Sequence, residues 1–301
     1  MKHFFIINPI SGTHDATEEL TELIERIFKD KKEEYEIYVT KDYRDSYKIA
    51  SEKSKDLTED TIFYACGGDG TSFDVINGIA GREHAYFSVI PTGSCNDFLK
   101  TFPEYSFKAF DEVINGELRD IDLCKANDYY YLNELNIGYD ALVNDDCNKS
   151  PIKAKNVKKA YNRAIIKNLI HFKTHKMMVK IEDGEEFEAK ALLVVAANGQ
   201  YYGSKYRCAP NASPFDGKFD FMIVKKITRI KFISMIKSYE KGLHLVKESF
   251  KKIIRFEQTT KVTLTADENL VVCLDGEIFY WPKVDIQVIP QAIKMLFPRK
   301  K

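Results

Sequence analysis

The chain has no excess of charge of either sign, because 45 Lys and Arg residues balance 45 Asp and Glu residues. No overall field would draw it to nucleic acid, so an anionic partner has to be met by a local patch. Long apolar runs are also lacking: the N-terminal run ends before Asn8-Pro9, and the run 191–197 is far too short to span a bilayer. These absences predict a soluble cytoplasmic protein that binds no nucleic acid.

The six cysteines form no C-x-x-C pair, which argues against both a zinc site and a disulfide framework. They stand at Cys66, Cys95, Cys124, Cys147, Cys208 and Cys273. Cysteines spread in this way along the chain predict a protein of a reducing compartment.

The first third of the chain alternates short buried strands with amphipathic helices. Strands are predicted at 4–7, 35–39, 62–65 and 86–90, with helices within 15–30, near 44–55 and at 72–80. This alternation is typical of a parallel, doubly wound α/β sheet. In such a sheet, the loops after the strand ends hold the ligand.

After about residue 122 the pattern changes to alternating apolar and polar residues, which predicts antiparallel strands of a β-sandwich. The segments lie at 129–132, 177–181, 186–195, 219–224, 261–264 and 271–274, and two helices are predicted at 153–172 and 229–250. We therefore expect an α/β domain over 1–122 and a β-rich domain over 123–288. The tail 289–301 can return to the first domain.

The stretch Gly67-Gly68-Asp69-Gly70-Thr71 joins a predicted strand to a predicted helix. It is not a Walker loop, because no G-x-x-x-x-G-K-[ST] occurs in the chain. It is not the dinucleotide fingerprint either, because Phe73 stands where the third glycine would fall. Two interpretations remain. Bare N–H groups at a helix N-terminus suit a phosphate, and Asp69 would then need a cation such as Mg²⁺. Alternatively, the stretch is a tight turn capped by Asp69 or Thr71.

Two further loops of small residues follow neighbouring strands. They are NPISG at 8–12 and PTGSCNDF at 91–98. Parallel strands end at one edge of a sheet, so the three loops are expected to line one crevice.

Six motifs together resemble the diacylglycerol kinase and sphingosine kinase family in its bacterial soluble lipid kinase form. They are NPISG, GGDGT followed by VINGI, PTGSCNDF, NIGYDA at 136–141, NGQYYGSKYRCAPNASPFDGKFD at 198–220 and LDGE at 274–277. The motifs occur in family order and span nearly the whole chain. GGDGT alone would be less specific, because NAD kinases share it.

The resemblance implies a two-domain enzyme that binds ATP in the cleft between its domains and transfers the γ-phosphate to a lipid hydroxyl. Diacylglycerol, giving phosphatidic acid, is the expected substrate. The implied ATP contacts are Asn8, Thr40, Gly67, Gly68, Asp69, Gly70, Thr71, Ser72 and Ser94.

The resemblance also implies the catalytic and metal-binding residues. Asp69 and Asp97 would lie near the catalytic Mg²⁺ and the phosphates, and Glu277 would be the general base. A structural Mg²⁺ of the second domain maps to Asp216 with the backbone carbonyls of Ser213 and Lys218. Spacing alone gives a plainer interpretation of Glu277, as a solvated residue beside an Asp275-Gly276 hairpin turn.

The chain departs from the family pattern at several positions. Ser72, Phe73 and Asp74 replace a small apolar residue, Asn and Glu, and Ser94 replaces Thr. Gly203-Ser204-Lys205 stands where the family has a glycine cluster. Phe73 leaves the nucleotide preference and the turnover rate open, and it keeps a nucleotide-binding regulatory module without turnover as one alternative. An NAD kinase-like enzyme is the other alternative, because NAD kinases share GGDGT, but PTGSCNDF and LDGE argue against it.

Ten Lys or Arg residues and no Asp or Glu lie between Cys147 and Ile181. An apolar stripe at helical spacing accompanies them, formed by Val157, Tyr161, Ile165, Leu169 and Phe172. A basic amphipathic helix of this kind, over 153–173, can lie on an anionic membrane surface. It can equally be a solvated helix whose stripe packs on the second domain. A homodimer is also left open.

Overall fold

A computed structural model of the chain describes residues 1–93, 95–152 and 156–300, and only the backbone of Val157 and Lys158. The chain forms two compact units. Unit 1 contains Met1–Leu123, Tyr129–Leu132 and the chain from Ile289 onward, and unit 2 contains Cys124–Asp128 and Asn133–Val288. The chain therefore passes between the units more than once.

Unit 1 is built on a parallel sheet. Its elements are β1 (Lys2–Ile7), α1 (Thr17–Phe28), β2 (Glu34–Val39), α2 (Asp45–Lys53), β3 (Thr61–Gly67), α3 (Asp69–Ile79), β4 (Ala85–Pro91), α4 (Phe110–Ile114), β6 (Tyr129–Tyr131) and β5 (Glu117–Ala126) up to Leu123. The order β2-β1-β3-β4 is parallel throughout.

Helices cover both faces of this sheet, because successive residues of each buried strand point to opposite sides. Phe4 and Ile6 of β1 belong to one core with α2 and α3. Phe5 and Ile7 belong to a second core with α1 and α4. The doubly wound α/β domain predicted from the sequence is thus confirmed.

Unit 2 is mainly antiparallel. Its elements are β7 (Glu134–Gly138), α5 (Tyr139–Asn148), α6 (Val157–His171), β8 (His175–Ile181), β9 (Phe187–Ala197), β10 (Phe219–Lys225), α7 (Arg229–Glu240), α8 (Glu248–Lys251), β11 (Ile254–Thr259), β12 (Lys261–Leu274) and the first part of β13 (Glu277–Phe297). The residues of β13 from Ile289 onward belong to unit 1. Strands run in the order β11-β10-β9-β7-β12-β13, and β8 pairs with both β9 and β12. Each of these pairs is antiparallel, which confirms the predicted β-rich second domain.

The sequence placed residues 129–132 in the second domain, and the structure groups them with unit 1 instead. Asn77 of α3 explains this placement. Its side chain accepts a hydrogen bond from the Tyr130 N–H and donates one to the Tyr130 carbonyl, each at 2.9 Å. One half-buried side-chain amide thus pairs with both backbone groups of Tyr130, as a neighbouring strand would.

Other differences lie at element boundaries. The single helix predicted over 229–250 is two, α7 and α8, because Gly242 between them adopts a left-handed conformation with φ of 68°. The segments 261–264 and 271–274 are one strand, β12, with an irregularity between Thr265 and Leu270. Helix α6 begins at Val157, after Asn156, whose side chain accepts a hydrogen bond from the Lys159 N–H. The predicted start of that helix, 153–155, lies outside the described residues.

Within the part of the chain that the structure describes, no helix is both long and apolar enough to cross a bilayer. All six cysteines are free thiols, and five of them are buried.

Candidate functional site

Three loops of unit 1 follow β1, β3 and β4, which are neighbours in the parallel sheet. The N–H groups of Thr92 and Gly93 both donate to the Gly67 carbonyl at 3.1 Å, which joins the loop after β4 to the loop after β3. A Cβ atom on Gly93 would lie 2.3 Å from the Gly68 Cα. Glycine at position 93 is therefore required by the close approach of the two backbones.

Asn8 joins the loop after β1 to the same region. Its side-chain amide donates to the Thr71 hydroxyl at 3.0 Å, and its own N–H donates to the Cys66 carbonyl at 3.0 Å. Thr40, at the end of β2, is buried, and its N–H donates to the Ile7 carbonyl at 2.9 Å. The predicted small-residue loops are thus brought together at one edge of unit 1.

Asp69 does not cap its own helix. The N-cap of α3 is Gly68, and the Asp69 carboxylate accepts hydrogen bonds from the N–H groups of Asn96 at 2.9 Å and Asp97 at 2.8 Å. The Thr71 hydroxyl bonds to Asn8. These contacts overturn the interpretation of the stretch as a turn capped by Asp69 or Thr71.

The Asp69 carboxyl is held close to other negative charge. Burial, followed by the charge of Asp97, raises the pKa of Asp69 to about 6. The ligand atoms of Asp69, Cys95 and Asp97 all lie within 4.8 Å of one another, and Lys100 contacts Asp97 at 2.6 Å. Two carboxylates form a donor set that suits Mg²⁺, and a divalent cation there would relieve the repulsion between them.

The glycine stretch offers backbone groups rather than side chains to a ligand. The side chains of Thr71 and Ser72 are buried, whereas Gly68 and Gly70 are half-buried. A phosphate at this position would be bound by N–H groups at the start of α3, where the helix dipole also favours an anion. Ser94, the remaining predicted nucleotide contact, lies outside the described residues.

Phe73, the departure that left the nucleotide preference open, is a core residue. It is fully buried, and its ring stacks on that of Tyr129 at 6.2 Å. The Arg44 guanidinium lies 5.2 Å from the ring centroid and forms an ion pair with Asp74. Phe73 and Asp74 thus anchor α3 to its surroundings within unit 1.

Glu277 lies in unit 2, in the hairpin between β12 and β13. Asp275 and Gly276 have φ values of 46° and 98°, and Leu274 pairs with Glu277, which confirms the predicted tight turn. The Asp275 carboxylate accepts from the N–H groups of Asn133 at 3.1 Å and Glu134 at 2.9 Å. The turn that carries the half-buried Glu277 is therefore fixed to the start of β7.

The segment predicted to hold a second Mg²⁺ forms a tight turn. The Lys218 N–H donates to the Asp216 carboxylate at 3.0 Å, and Gly217 has a φ of 69°. Ser213 is half-buried beside this turn in sequence. Asp220 follows it, and burial raises its pKa to about 6. Its Oδ1 accepts from Gln258, while Oδ2 is buried with no hydrogen-bond partner among the described residues. A cation would satisfy that oxygen, so the donor set is compatible with a metal ion.

Unit 2 also contains an apolar cavity of about 70 Å³ that sequence reasoning missed. Its lining comes from α5, α6, α7, β9, β10 and the segment between β9 and β10, and is mostly aromatic and aliphatic. One carboxylate, Asp140, faces it and accepts a hydrogen bond from the Tyr202 hydroxyl. Burial raises the pKa of Asp140 to about 6. The signal was present in the motif NIGYDA, where a carboxylate stands between apolar residues, but no role was assigned to it.

The predicted apolar stripe of the basic helix faces inward. Tyr161 and Ile165 of α6 line this cavity, and Leu169 is half-buried. Phe172, just after the helix, packs its ring 5.3 Å from that of Phe232. This stripe therefore packs within unit 2, while the Val157 side chain lies outside the described part of the chain.

Comparison with known proteins assigns both units to described families. The "Diacylglycerol kinase catalytic domain" family matches residues 2–126, and the "YegS C-terminal NAD kinase beta sandwich-like domain" family matches residues 133–297. The second match alone covers more than half of the chain.

Individual relatives agree with these matches. A diacylglycerol kinase of Bacillus subtilis (strain 168) is 29% identical over 300 residues, covering 98% of this chain and 96% of that protein. A solved structure of a candidate diacylglycerol kinase from Bacillus anthracis str. Sterne has a TM-score of 0.75 and 26% identity, covering 98% and 96% of the two chains. A second diacylglycerol kinase structure from the same organism, at 24% identity and a TM-score of 0.70, covers 98% and 96% and supports the fold.

Proposed function

Because the chain belongs to the bacterial diacylglycerol kinase-like lipid kinase family, we propose that it transfers the γ-phosphate of ATP to the hydroxyl of diacylglycerol, giving phosphatidic acid. One observation carries the proposal. The Asp69 carboxylate is fixed by two backbone N–H groups of the neighbouring loop and lies beside Asp97, where three strand-end loops converge.

Unit 1 provides the groups that would bind the nucleotide. The N–H groups at the start of α3 and the loops fixed by Gly67 and Asn8 would hold the phosphates. Ser94 and Thr40 remain proposed contacts on the basis of the family pattern. Because phosphoryl transfer depends mainly on positioning and electrostatics, a rigid set of loops suits the reaction.

Asp69 and Asp97 would hold the Mg²⁺ that accompanies ATP. When bound, the cation would neutralise charge on the transferred phosphoryl group. Burial and, after it, the charge of Asp97 raise the pKa of Asp69, and a bound cation would stabilise the ionised carboxylate against both effects. Lys100, paired with Asp97, would keep that carboxylate oriented.

Glu277 is proposed as the general base that accepts the proton of the lipid hydroxyl. The hydrogen bonds of Asp275 to Asn133 and Glu134 fix the turn that carries it. A positioned base needs this kind of support, because proton transfer is sensitive to small errors in distance.

The lipid would be held by unit 2. The cavity of that unit has an apolar lining that suits part of an acyl chain, and the Asp140–Tyr202 pair gives it one polar contact. A second Mg²⁺ at Asp216, with the carbonyls of Ser213 and Lys218, would act structurally, and the orphaned oxygen of nearby Asp220 supports a cation in this segment.

The test is transfer of labelled γ-phosphate from ATP to a panel of acceptors. The panel contains diacylglycerol, monoacylglycerol, ceramide, a sphingoid base, phosphatidylglycerol and NAD. The proposal expects diacylglycerol to be labelled fastest in the presence of Mg²⁺. Labelling of NAD alone would support the NAD kinase alternative, and nucleotide binding without labelling of any acceptor would support a regulatory module.

A further inference from the structure

Unit 1 contains a cavity of about 320 Å³ that the proposed reaction does not use. It is lined by Tyr105, from the segment between β4 and α4, by Glu117 and Arg119 of β5, and by Phe297, Pro298, Arg299 and Lys300 at the end of β13 and just after it. All of these residues lie in unit 1, and none of them belongs to the three strand-end loops of the candidate site. We call this space the basic cavity.

The lining of the basic cavity carries more positive than negative charge. Among the described residues that line it, Arg119, Arg299 and Lys300 are cations and Glu117 is the one carboxylate. Three positive charges against one negative charge give this lining a formal charge of +2. Two of the cations are arginines, whose planar N–H groups suit a tetrahedral or planar oxyanion better than a lysine does.

Tyr105 holds two of the cations in place. Its hydroxyl accepts a hydrogen bond from Nη1 of Arg119 at 2.9 Å, and Nζ of Lys300 lies 5.3 Å from the centroid of its ring. The Arg119 guanidinium also lies 5.3 Å from the centroid of the Phe297 ring. Phe297 is fully buried, and its ring lies 5.1 Å from that of Tyr105. Aromatic side chains anchored in the core of unit 1 therefore orient both cations.

Arg299 is fixed by backbone carbonyls instead. Its Nε donates to the Asn115 carbonyl at 2.6 Å, and its own N–H donates to the Glu112 carbonyl at 3.1 Å. No described residue accepts a hydrogen bond from its two Nη groups. The protein thus uses one nitrogen of this guanidinium, and the other two can donate to a ligand in the basic cavity.

We propose that the basic cavity binds a small phosphate monoester that carries hydroxyl groups, the chemistry of a sugar phosphate. Arg119, Arg299 and Lys300 would bind the phosphate. Glu117 is exposed and forms no ion pair with another described residue, so its carboxylate would accept a hydrogen bond from a hydroxyl group of the ligand. The proposal goes beyond the proposed kinase reaction and does not depend on it.

Charge and size favour a phosphate monoester over other anions. A phosphate monoester carries a charge of about −1.5 to −2 at pH 7, which matches the formal charge of the lining, whereas a carboxylate would compensate only half of it. The volume of about 320 Å³ is at the lower end of the range of roughly 300 to 1,000 Å³ that is typical of small-molecule sites. An acidic peptide would need an extended groove or a sheet edge.

The test is a titration of the full-length protein with glucose 6-phosphate and with inorganic phosphate, in the absence of ATP and lipid. Calorimetry gives the affinity, and proton–nitrogen NMR spectra follow the Nε–H signals of Arg119 and Arg299. Both signals are expected to shift and to saturate. Glucose 6-sulfate has nearly the same shape but one negative charge, and it should bind at least about fivefold more weakly than the phosphate ester.

Substitutions assign the binding to the basic cavity. Arg299→Gln with Lys300→Gln should weaken binding of glucose 6-phosphate at least about tenfold, because two charged donors are lost. Lys300→Gln alone, at an exposed position, should weaken it at least about threefold, and it replaces the double variant if that variant has a lower unfolding midpoint. Glu117→Ala should raise the affinity for inorganic phosphate more than that for glucose 6-phosphate, because only the ester uses the carboxylate.

The matched control is Arg26→Gln with Lys29→Gln. It removes the same two kinds of side chain from exposed positions of unit 1 that do not line the cavity, so it should bind like the wild type. Gly93→Ala alters the loop after β4 and should keep the affinity for glucose 6-phosphate, while the cavity variants should keep the affinity for ATP. This pattern separates the basic cavity from the proposed nucleotide site.

Four outcomes would overturn the proposal. The Nε–H signals of Arg119 and Arg299 could fail to shift with either phosphate compound, or the control variant could lose as much affinity as the cavity variants. Equal affinities for the phosphate and sulfate esters would show that the charge of the lining does not select the ligand. Loss of glucose 6-phosphate binding in Gly93→Ala alone would assign the ester to the nucleotide loops.

Discussion

Asp69 is the residue on which the proposed chemistry depends most. Its two backbone hydrogen bonds orient the carboxylate, and burial beside Asp97 raises its pKa. An isolated buried carboxylate is costly, so a site that keeps two of them together has to be balanced by a cation or a proton. Asp140 in the cavity of unit 2 is a single buried carboxylate, and its burial likewise raises the pKa and favours the protonated form.

Replacing Glu277 by Gln tests the proposed base. Gln keeps the size of the side chain and one acceptor oxygen but cannot take up the proton. We expect kcat to fall by roughly a hundredfold to ten-thousandfold while the affinity for ATP stays near that of the wild type. Single-turnover transfer to diacylglycerol gives the rate of the chemical step. A variant that retains more than about half of the wild-type rate in that assay would exclude Glu277 as the base.

Asp140→Asn should change the pH dependence of stability. The pKa of Asp140 is about 6 in the folded chain and about 4 when unfolded, so the folded state binds the proton more tightly. Ionisation therefore destabilises the fold as pH rises from about 4 to 6, and the full penalty remains above that range. Asn carries no such penalty and can still accept from Tyr202.

We expect the free energy of unfolding of Asp140→Asn, relative to wild type, to increase by roughly 1 to 3 kcal/mol between about pH 4.5 and 7.5. The difference between the two proteins removes the effect of groups they share, such as the buried His3 and His244, whose pKa values are lowered to about 4. Denaturant titrations of both proteins at several pH values measure this difference in the free energy of unfolding. A difference that stays constant with pH would show that Asp140 titrates normally.

At the scale of elements, the site depends on how β3, α3 and the loop after β4 are joined. Gly93 approaches the Gly68 backbone, and the Gly67 carbonyl accepts from Thr92, Gly93 and the Asn96 side chain. The loops are therefore fixed by backbone contacts rather than by large side chains. Substitutions that add one Cβ should separate positions that need glycine from positions that tolerate a side chain.

Gly93→Ala should displace the loop after β4, because its Cβ would meet the Gly68 Cα at 2.3 Å. We expect a loss of about 1 to 3 kcal/mol in stability and a weaker affinity for ATP. Gly68→Ala is the matched control for stability alone, since its Cβ would meet nothing closer than 3.4 Å. Thermal unfolding and ATP binding by calorimetry measure both effects. Equal stability of the two variants would contradict the close approach.

Much of unit 1 could be predicted from the sequence because buried parallel strands and amphipathic helices leave strong patterns. The strands β1 to β4 appear where their apolar runs predict them. The predicted loops also lie at one edge, because parallel strands share a direction. The roles of Asp69, Asp97 and Glu277 came from the family resemblance and remain predictions.

Other features could not be predicted because they depend on tertiary contacts. The β6 segment belongs to unit 1 through the hydrogen bonds of Asn77, which no local pattern reveals. The inward stripe of α6 resembles a membrane-facing stripe in sequence, since both are apolar at the same spacing. The cavity and the role of Phe73 likewise depend on residues distant in the chain.

At the scale of the whole molecule, the two units are interleaved in sequence. Unit 1 takes in the chain from Ile289 onward, and Phe297 is fully buried in its core. The Phe297 ring lies 4.9 Å from that of Phe102 and 5.7 Å from that of Phe107. The hydrophobic core of unit 1 therefore includes residues from the segment that begins at Ile289.

A fragment of residues 1–122 should not unfold cooperatively, because it lacks β6 and the C-terminal strand. In the full chain, Phe297→Ala should cost about 3 to 5 kcal/mol through the cavity it leaves. Ile10→Ala, at a position that is 90% exposed, should leave stability unchanged. Circular dichroism during heating and denaturant titration provide the measurements. A fragment with a sharp unfolding transition would show that the N-terminal segment is an independent domain.

The most direct measurement of the central claim is the rate of γ-phosphate transfer from ATP to a short-chain diacylglycerol as a function of Mg²⁺ concentration. The wild type, Asp69→Asn and Asp30→Asn are compared, the last being an exposed carboxylate of unit 1. We predict Mg²⁺-dependent transfer by the wild type and Asp30→Asn, and a loss of at least about a hundredfold for Asp69→Asn with its fold intact. Transfer by the wild type without a divalent cation, or a wild-type rate for Asp69→Asn, would contradict the account.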